Sequence, residues 1–166
     1  MSQAEDNYYL DKESLNGIGV ILRGKNIVLT GVSVHQESVR YRENDALTPF
    51  LKEDFYFFFD DGKPHLNFYA VPAILVLGYD SAGGYFAATD DDFSFEENFP
   101  LFYISAQKQA YFITEESSRF LSGEYRWQKD LRPADRIKIY ESRQMAEKDF
   151  EIHDRLKHPV YCRSSR

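Results

Sequence analysis

Six carboxylates and no Lys, Arg or His occupy the stretch from Asp80 to Pro100: Asp80, Asp90, Asp91, Asp92, Glu96 and Glu97. Hard oxygen ligands of this type hold calcium. A pair of them across a sugar cleft hydrolyses glycosides, and a dense negative face steers a basic partner. The EF-hand spacing D-x-D-x-D-G is absent, and the sequence outlines no cleft. Docking of a basic partner therefore stands ahead of metal binding, and metal ahead of catalysis. The plain alternative is a solvated loop that keeps the protein soluble. Phe93, Phe95 and Phe99 interleave the acids. Exposed, they would extend a docking face; buried, they would pin the loop to the core, and burial is the expectation.

Other chemistries lack their residues. A nucleophile needs a base beside it, but there is no G-x-S-x-G elbow, and the single cysteine, Cys162, falls in an expected tail. His35, His65, His153 and His158 are scattered and are expected to be surface or half-buried side chains. Zinc sites use clustered Cys and His at short spacings. Neither H-E-x-x-H nor C-x-x-C occurs, and His153 and His158 would point to different faces of a helix. Gly17, Gly19 and Gly24, and the doublet Gly83-Gly84, sit beside strand signals. They read as turns, since phosphate cradles lead into helices. The expectation is a non-enzymatic protein with no metal and no cofactor.

The elements that must position the acids belong to a chain of 166 residues, with 27 acidic against 20 basic side chains and a net charge of -7. That length suits one domain, read as residues 1–166 with flexible ends at 1–10 and 160–166. Residues 1–128 carry 10 basic and 20 acidic groups, net -10; residues 129–166 carry 10 and 7, net +3. Acidity on this scale argues against nucleic acid, whose binding rests on Lys and Arg at phosphates. One cysteine forms no internal disulfide. The N-terminus lacks the basic and apolar regions of a signal peptide, and no apolar run approaches the ~18–20 residues of a membrane helix. The reading is a soluble, cytoplasmic protein.

Strand signals come first. Ile18–Leu22 and Ile27–Val34, around Arg23-Gly24-Lys25-Asn26, predict a hairpin. Asp54–Phe59 fits a strand, with a helix over Pro49–Phe59 as its rival, and Asp60–Pro64 a turn before a return at Leu66–Ala70. Ala73–Tyr79 reads as a central strand covered on both faces. Asp80–Gly84 turns it into Tyr85–Thr89, and Leu101–Ser105 pairs with Ala110–Ile113. Thr114 with Glu115 and Glu116 marks a helix start, with Phe120 and Leu121 on its apolar face. A long helix is expected from Pro133 to Pro159, because Ile139, Ala146, Phe150 and His153 step by seven, four and three. Together these predict an α+β protein: a single, mainly antiparallel sheet with C-terminal helices packed on one face.

The blocks AVPAILVLGYDSAGGYFAATDD and PLFYISAQKQAYFITEESSRFL, within residues 70–122, resemble the SUKH superfamily. That group includes fungal cell-wall-synthesis regulators and bacterial immunity proteins of toxin systems. The matching features are an apolar strand, an Asp with a Gly-Gly turn, an aromatic strand ending in acids, a Tyr-containing strand and a capped helix ending in Phe-Leu. The family's N-terminal helices have no counterpart around Asn16-Gly17. The resemblance implies a SUKH-like α+β fold and a protein that binds another protein, with no catalytic residues to carry over. In immunity members the partner is a toxin, and a basic one would suit the six carboxylates. The rival reading is a small-molecule binder or hydrolase with a pocket between the sheet and the C-terminal helix, lined by Tyr79, Tyr85, Tyr103 and Trp127. A homodimer without other partners is a third.

Overall fold

The computed structural model describes residues 7–15, 19–21, 26–38, 54–62, 64, 66–89, 98–121, 131–154 and 161–163. In chain order the strands are β1 (Asn7–Asp11), β2 (Gly19–Ile21), β3 (Asn26–Thr30), β4 (Val32–Val34), β5 (Gln36–Glu37), β6 (Tyr56–Phe59), β7 (Tyr69–Val71) and β8 (Ile74–Tyr79). After them come β9 (Tyr85–Thr89), β10 (Leu101–Ile104), β11 (Ala110–Thr114), β12 (Arg132–Pro133), β13 (Lys138–Tyr140), β14 (Ile152–His153) and β15 (Tyr161–Arg163). Helix among the described residues is confined to a 3-10 turn at Lys12–Leu15, α1 (Ser117–Leu121) and the single turn α2 (Arg143–Ala146). The expected α+β arrangement, with C-terminal helices on one face of one sheet, is therefore corrected. The chain is mostly β and is spread over several sheets.

The largest sheet runs β12-β11-β10-β9-β8-β6-β5, with β4 also paired to β8. Its centre is the β8–β9 hairpin, in which Ile74 faces Thr89 and Tyr79 faces Tyr85. Side chains alternate along a strand, so β9 sends Phe86 and Ala88 to one side and Ala87 to the other. On the first side Phe55, Phe57, Leu77, Phe86, Leu101, Tyr103 and Ile113 pack together, closed by Phe120 of α1. On the second, Ile74, Val76, Ala87, Phe102 and Ile104 meet Phe68, Ala134 and Ile137. The apolar run 73–79 is thus the two-sided central strand its composition predicts. Each of these Phe, Leu and Ile side chains contributes roughly 1.5–3 kcal/mol on burial.

The hairpin expected from residues 18–34 does not form. Strands occur on both sides of it, but β2 pairs with β15 and β3 pairs with β1. β1 is the middle strand of an all-parallel sheet, with Tyr9 opposite Val28 on one side and Ile152 on the other. Residues 7–10 belong to β1, and Tyr161–Arg163 lies opposite Gly19–Ile21. β6 resolves the ambiguous Phe-rich run as strand at 56–59. β7 forms near the expected return but pairs with β13, with Ile139 opposite Ala70.

Up to residue 154, β12, β13, α2 and β14 stand where the long helix from Pro133 to Pro159 was expected; residues 155–160 lie outside the described residues. Ile139 and His153 enter different sheets, so the spacing that mimicked a helix face records separate pairings. Turn-forming Asp135-Arg136 and the N-cap Ser142, which accepts from the Met145 amide at 3.3 Å, divide the segment into short pieces.

Candidate functional site

Asp80 sets a turn. It is 7% exposed, and one carboxylate oxygen accepts from the Ala82 and Gly84 amides at 3.0 and 2.7 Å. The other accepts the Tyr103 hydroxyl at 2.6 Å. Gly83 has φ +88, which L side chains rarely adopt, and a Cβ on Gly84 would stand 2.0 Å from the Tyr103 hydroxyl oxygen. Burial, and then the bond to Asp80, push the Tyr103 phenol well above its ordinary pKa. Asp80, expected as a docking contact, is thus a mostly buried support of the hairpin turn, and it also lines a hollow between Phe58 and Tyr85. The chain reaches Thr89 at the far end of β9, five residues or ~17 Å along the strand. Asp90, Asp91, Asp92, Glu96 and Glu97, with Phe93 and Phe95, lie outside the described residues. Phe99 is buried, as expected.

On the second side of the large sheet the core continues outward as an aromatic strip. Tyr56 and Tyr79, opposite each other on β6 and β8, are 44% and 38% exposed, and their rings stack at 5.5 Å. Phe58 lies 5.0 Å from Tyr79 and 6.4 Å from Tyr85, and Tyr85 meets Phe68 at 5.4 Å. The shallow hollow, of about 160 Å³, lies between Phe58, Tyr79, Asp80, Gly83, Gly84 and Tyr85. Exposed Asp54 precedes the strip on the chain, and exposed Asp60 and Asp61 follow it. Asp54 also accepts the Ser81 hydroxyl at 2.7 Å, joining the start of β6 to the hairpin turn. Of the four residues assigned to a pocket against a C-terminal helix, Tyr79 and Tyr85 do come together. Tyr103 faces the opposite side of the sheet, Trp127 lies outside the described residues, and strands stand where that helix was expected.

A second polar centre escaped the sequence reading. Asp11, at the end of β1 and 7% exposed, accepts the Tyr69 hydroxyl at 2.7 Å and the Arg143 guanidinium at 3.2 Å on the same oxygen. Its other oxygen accepts the Glu13 amide at 2.9 Å. The Thr30 and Tyr69 hydroxyls are 2.7 Å apart. Arg143 further pairs with Glu147 at 3.0 Å and with Asp154. The Asp154 bond, ahead of other causes, holds Arg143 firmly protonated, while burial raises the Tyr69 phenol against the opposing hydroxyl bond from Thr30. Nearby, burial and then Asp149 push Tyr140 up to about 12. These residues come from β1, β3, β7 and α2. No local spacing marks them, since Arg143 and Asp11 are 132 positions apart.

Beside this centre lies a cavity of about 460 Å³. Val32, Val34, Pro64, Leu66 and Phe68 form an apolar wall, and Asp11, Glu13, Tyr69 and Arg143 the polar end. His35 bonds to Glu37 at 2.8 Å, and His153 stacks on Tyr8 at 4.2 Å. Among the described residues no three His, Cys, Asp or Glu side chains gather as a metal site, and no helix is long and apolar enough to cross a membrane. Comparison with protein-family models, curated proteins and solved structures finds no match to this chain.

Proposed function

We propose that this protein works without catalysis, by binding another protein through the strip Tyr56, Tyr79, Phe58 and Tyr85. The observation that carries the reading is the exposure of Tyr56 and Tyr79 as a stacked pair. Phe57, Phe86 and Phe102 of the same sheet are buried, and Phe59, Tyr111 and Phe112 are half-buried. Aromatic side chains are enriched at the centres of interfaces, and tyrosine faces attract guanidinium and ammonium groups. Asp54, Asp60 and Asp61 bracket the strip along the chain with negative charge, so the partner is a basic protein. The net charge of -7 favours the same encounter. A bacterial toxin with a basic domain, occluded by an immunity protein in the cytoplasm, is the form suggested by the SUKH resemblance. Asp90, Asp91, Asp92, Glu96 and Glu97 are further candidate contacts by charge.

The test is affinity purification from the native cell with wild-type protein and with Tyr56→Ala/Tyr79→Ala. A basic protein retained by the wild type, released by salt and lost from the double variant is the expected result. Equal retention by both proteins would sink the assignment, as would recovery of an acidic partner.

A further inference from the structure

From the cavity beside Asp11, we propose a second site that takes a small organic cation: a primary amine carried on an apolar body. The volume of about 460 Å³ lies within the range of roughly 300–1,000 Å³ usual for small-molecule sites, which combine apolar walls with a few polar groups. Val32, Val34, Pro64, Leu66 and Phe68 supply the apolar wall. The sign of the ligand's charge follows from the groups at the other end. Asp11 and Glu13 line the cavity against one guanidinium, Arg143, which Glu147 and Asp154 also hold. Three carboxylates pair with that one cation and Glu13 adds a further acid to the lining, so an anion entering here meets net repulsion. Lys12, between Asp11 and Glu13 on the chain, is turned to the Ser33 hydroxyl and is not part of the lining.

Within this set Asp11 is committed: Tyr69 and Arg143 share one oxygen and the Glu13 amide occupies the other. That last bond fixes the backbone of Glu13 at the cavity's edge, where its exposed carboxylate is the group placed to receive an ammonium. The apolar body then lies along Leu66 and Phe68. This site adjoins the strip assigned to protein binding at Phe68, whose ring meets Tyr85. Glu13 belongs only to the cavity and Tyr56 and Tyr79 only to the strip, so variants at these residues test the two assignments separately.

Calorimetric titration with 2-phenylethylamine, 2-phenylethanol and 3-phenylpropionate tests the proposal. The amine is expected to bind saturably and the carboxylate not to bind. Glu13→Gln should weaken the amine by roughly tenfold, the scale of a lost hydrogen bond to a charged group. Glu13 is exposed, so this variant is expected to keep the wild-type melting temperature. Leu66→Trp, which fills the apolar side, should abolish binding while leaving Glu13 in place. Equal binding of amine and alcohol, undiminished binding to Glu13→Gln, or no saturation by about 10 mM amine, a level weaker than ordinary ligand recognition, would each overturn it.

Discussion

Asp80 takes the hydroxyl of Tyr103 at 2.6 Å, and Asp11 takes that of Tyr69 at 2.7 Å, each carboxylate being 7% exposed. Around these two matching pairs the protein is built differently. The remaining partners of Asp80 are amides of its own turn, at Ala82 and Gly84. Asp11 uses one local amide and then depends on Arg143 from a remote part of the chain, while its tyrosine leans on Thr30 of another strand. The first pair closes a hairpin, with Asp80 holding the turn beside the hollow. The second joins several elements at a cavity, so its charges remain available to shape what enters. A buried carboxylate is thus a folding device or a site-forming device according to where its donors come from.

The largest expected effect separates the two pairs by their stability cost. Asp80→Ala strands two buried donors, the Gly84 amide and the Tyr103 hydroxyl, and should cost about 3 kcal/mol or more, at about 1–3 kcal/mol for each and with the exposed Ala82 amide left to water. Asp11→Ala should cost less, about 2 kcal/mol, because Arg143 keeps Glu147 and Asp154 and Tyr69 keeps Thr30. Urea denaturation measures both, and the reverse order would break the comparison.

Overpacking gives the next effect. Gly84→Ala drives a methyl group into the Tyr103 ring and should cost about 1–3 kcal/mol. Combining it with Tyr103→Ala should recover part of that loss, and a fully additive double variant would show that the turn fails for another reason.

A smaller effect distinguishes the pairs by salt. In double-mutant cycles, the Asp11–Arg143 coupling should be about 1 kcal/mol at low ionic strength and shrink in 1 M salt, since Arg143 is 29% exposed. The Asp80–Tyr103 coupling, between a carboxylate and a neutral hydroxyl, should hold steady. Equal salt dependence would erase the distinction.

The smallest effect lies at alkaline pH. Tyr69 and Tyr103 both bind their protons more tightly folded than unfolded, where tyrosine titrates near 10. Above that pH the unfolded chain holds fewer protons, so this stability is complete below about pH 10 and declines as pH rises further. Tyr140, raised to about 12, contributes in the same direction between those values. Urea midpoints from pH 8 to 11 should fall only at the upper end. Tyr69→Phe and Tyr103→Phe should each flatten the decline, and an unchanged slope in both would refute its assignment.

The same division explains what could be read from the amino acids. β8, β9, β10 and β11 were legible because each pairs with a sequence neighbour through a turn that announces itself, Asp80 with Gly83-Gly84 in one case and Gln107-Lys108-Gln109 in the other. The Asp11 centre was not legible. Its members sit on strands of three to five residues and one helical turn, too short to show a period, and topology alone brings them together. Ile139 and His153 looked like one helical face because two unrelated strand pairings fell at helix-like intervals. The carboxylate run was visible as composition, yet the burial of Asp80 was not, because a buried turn acid and a solvated one are the same letter. The aromatic strip was seen only in part: Tyr79 and Tyr85 were singled out, but register on β6 and β8 was needed to place Tyr56 beside them.

The parallel sheet around β1 has a consequence for how the molecule is made. Tyr9 pairs with Ile152, 143 positions later, whereas the β8–β9 and β10–β11 hairpins close over loops of a few residues. Closing a long loop costs more entropy and is slower, so during synthesis the hairpins can assemble while β1 still lacks one of its neighbours. Until residues 152–153 have been translated, β1 offers an unsatisfied edge. That interval is the one in which a growing chain is open to pairing with a strand of another molecule.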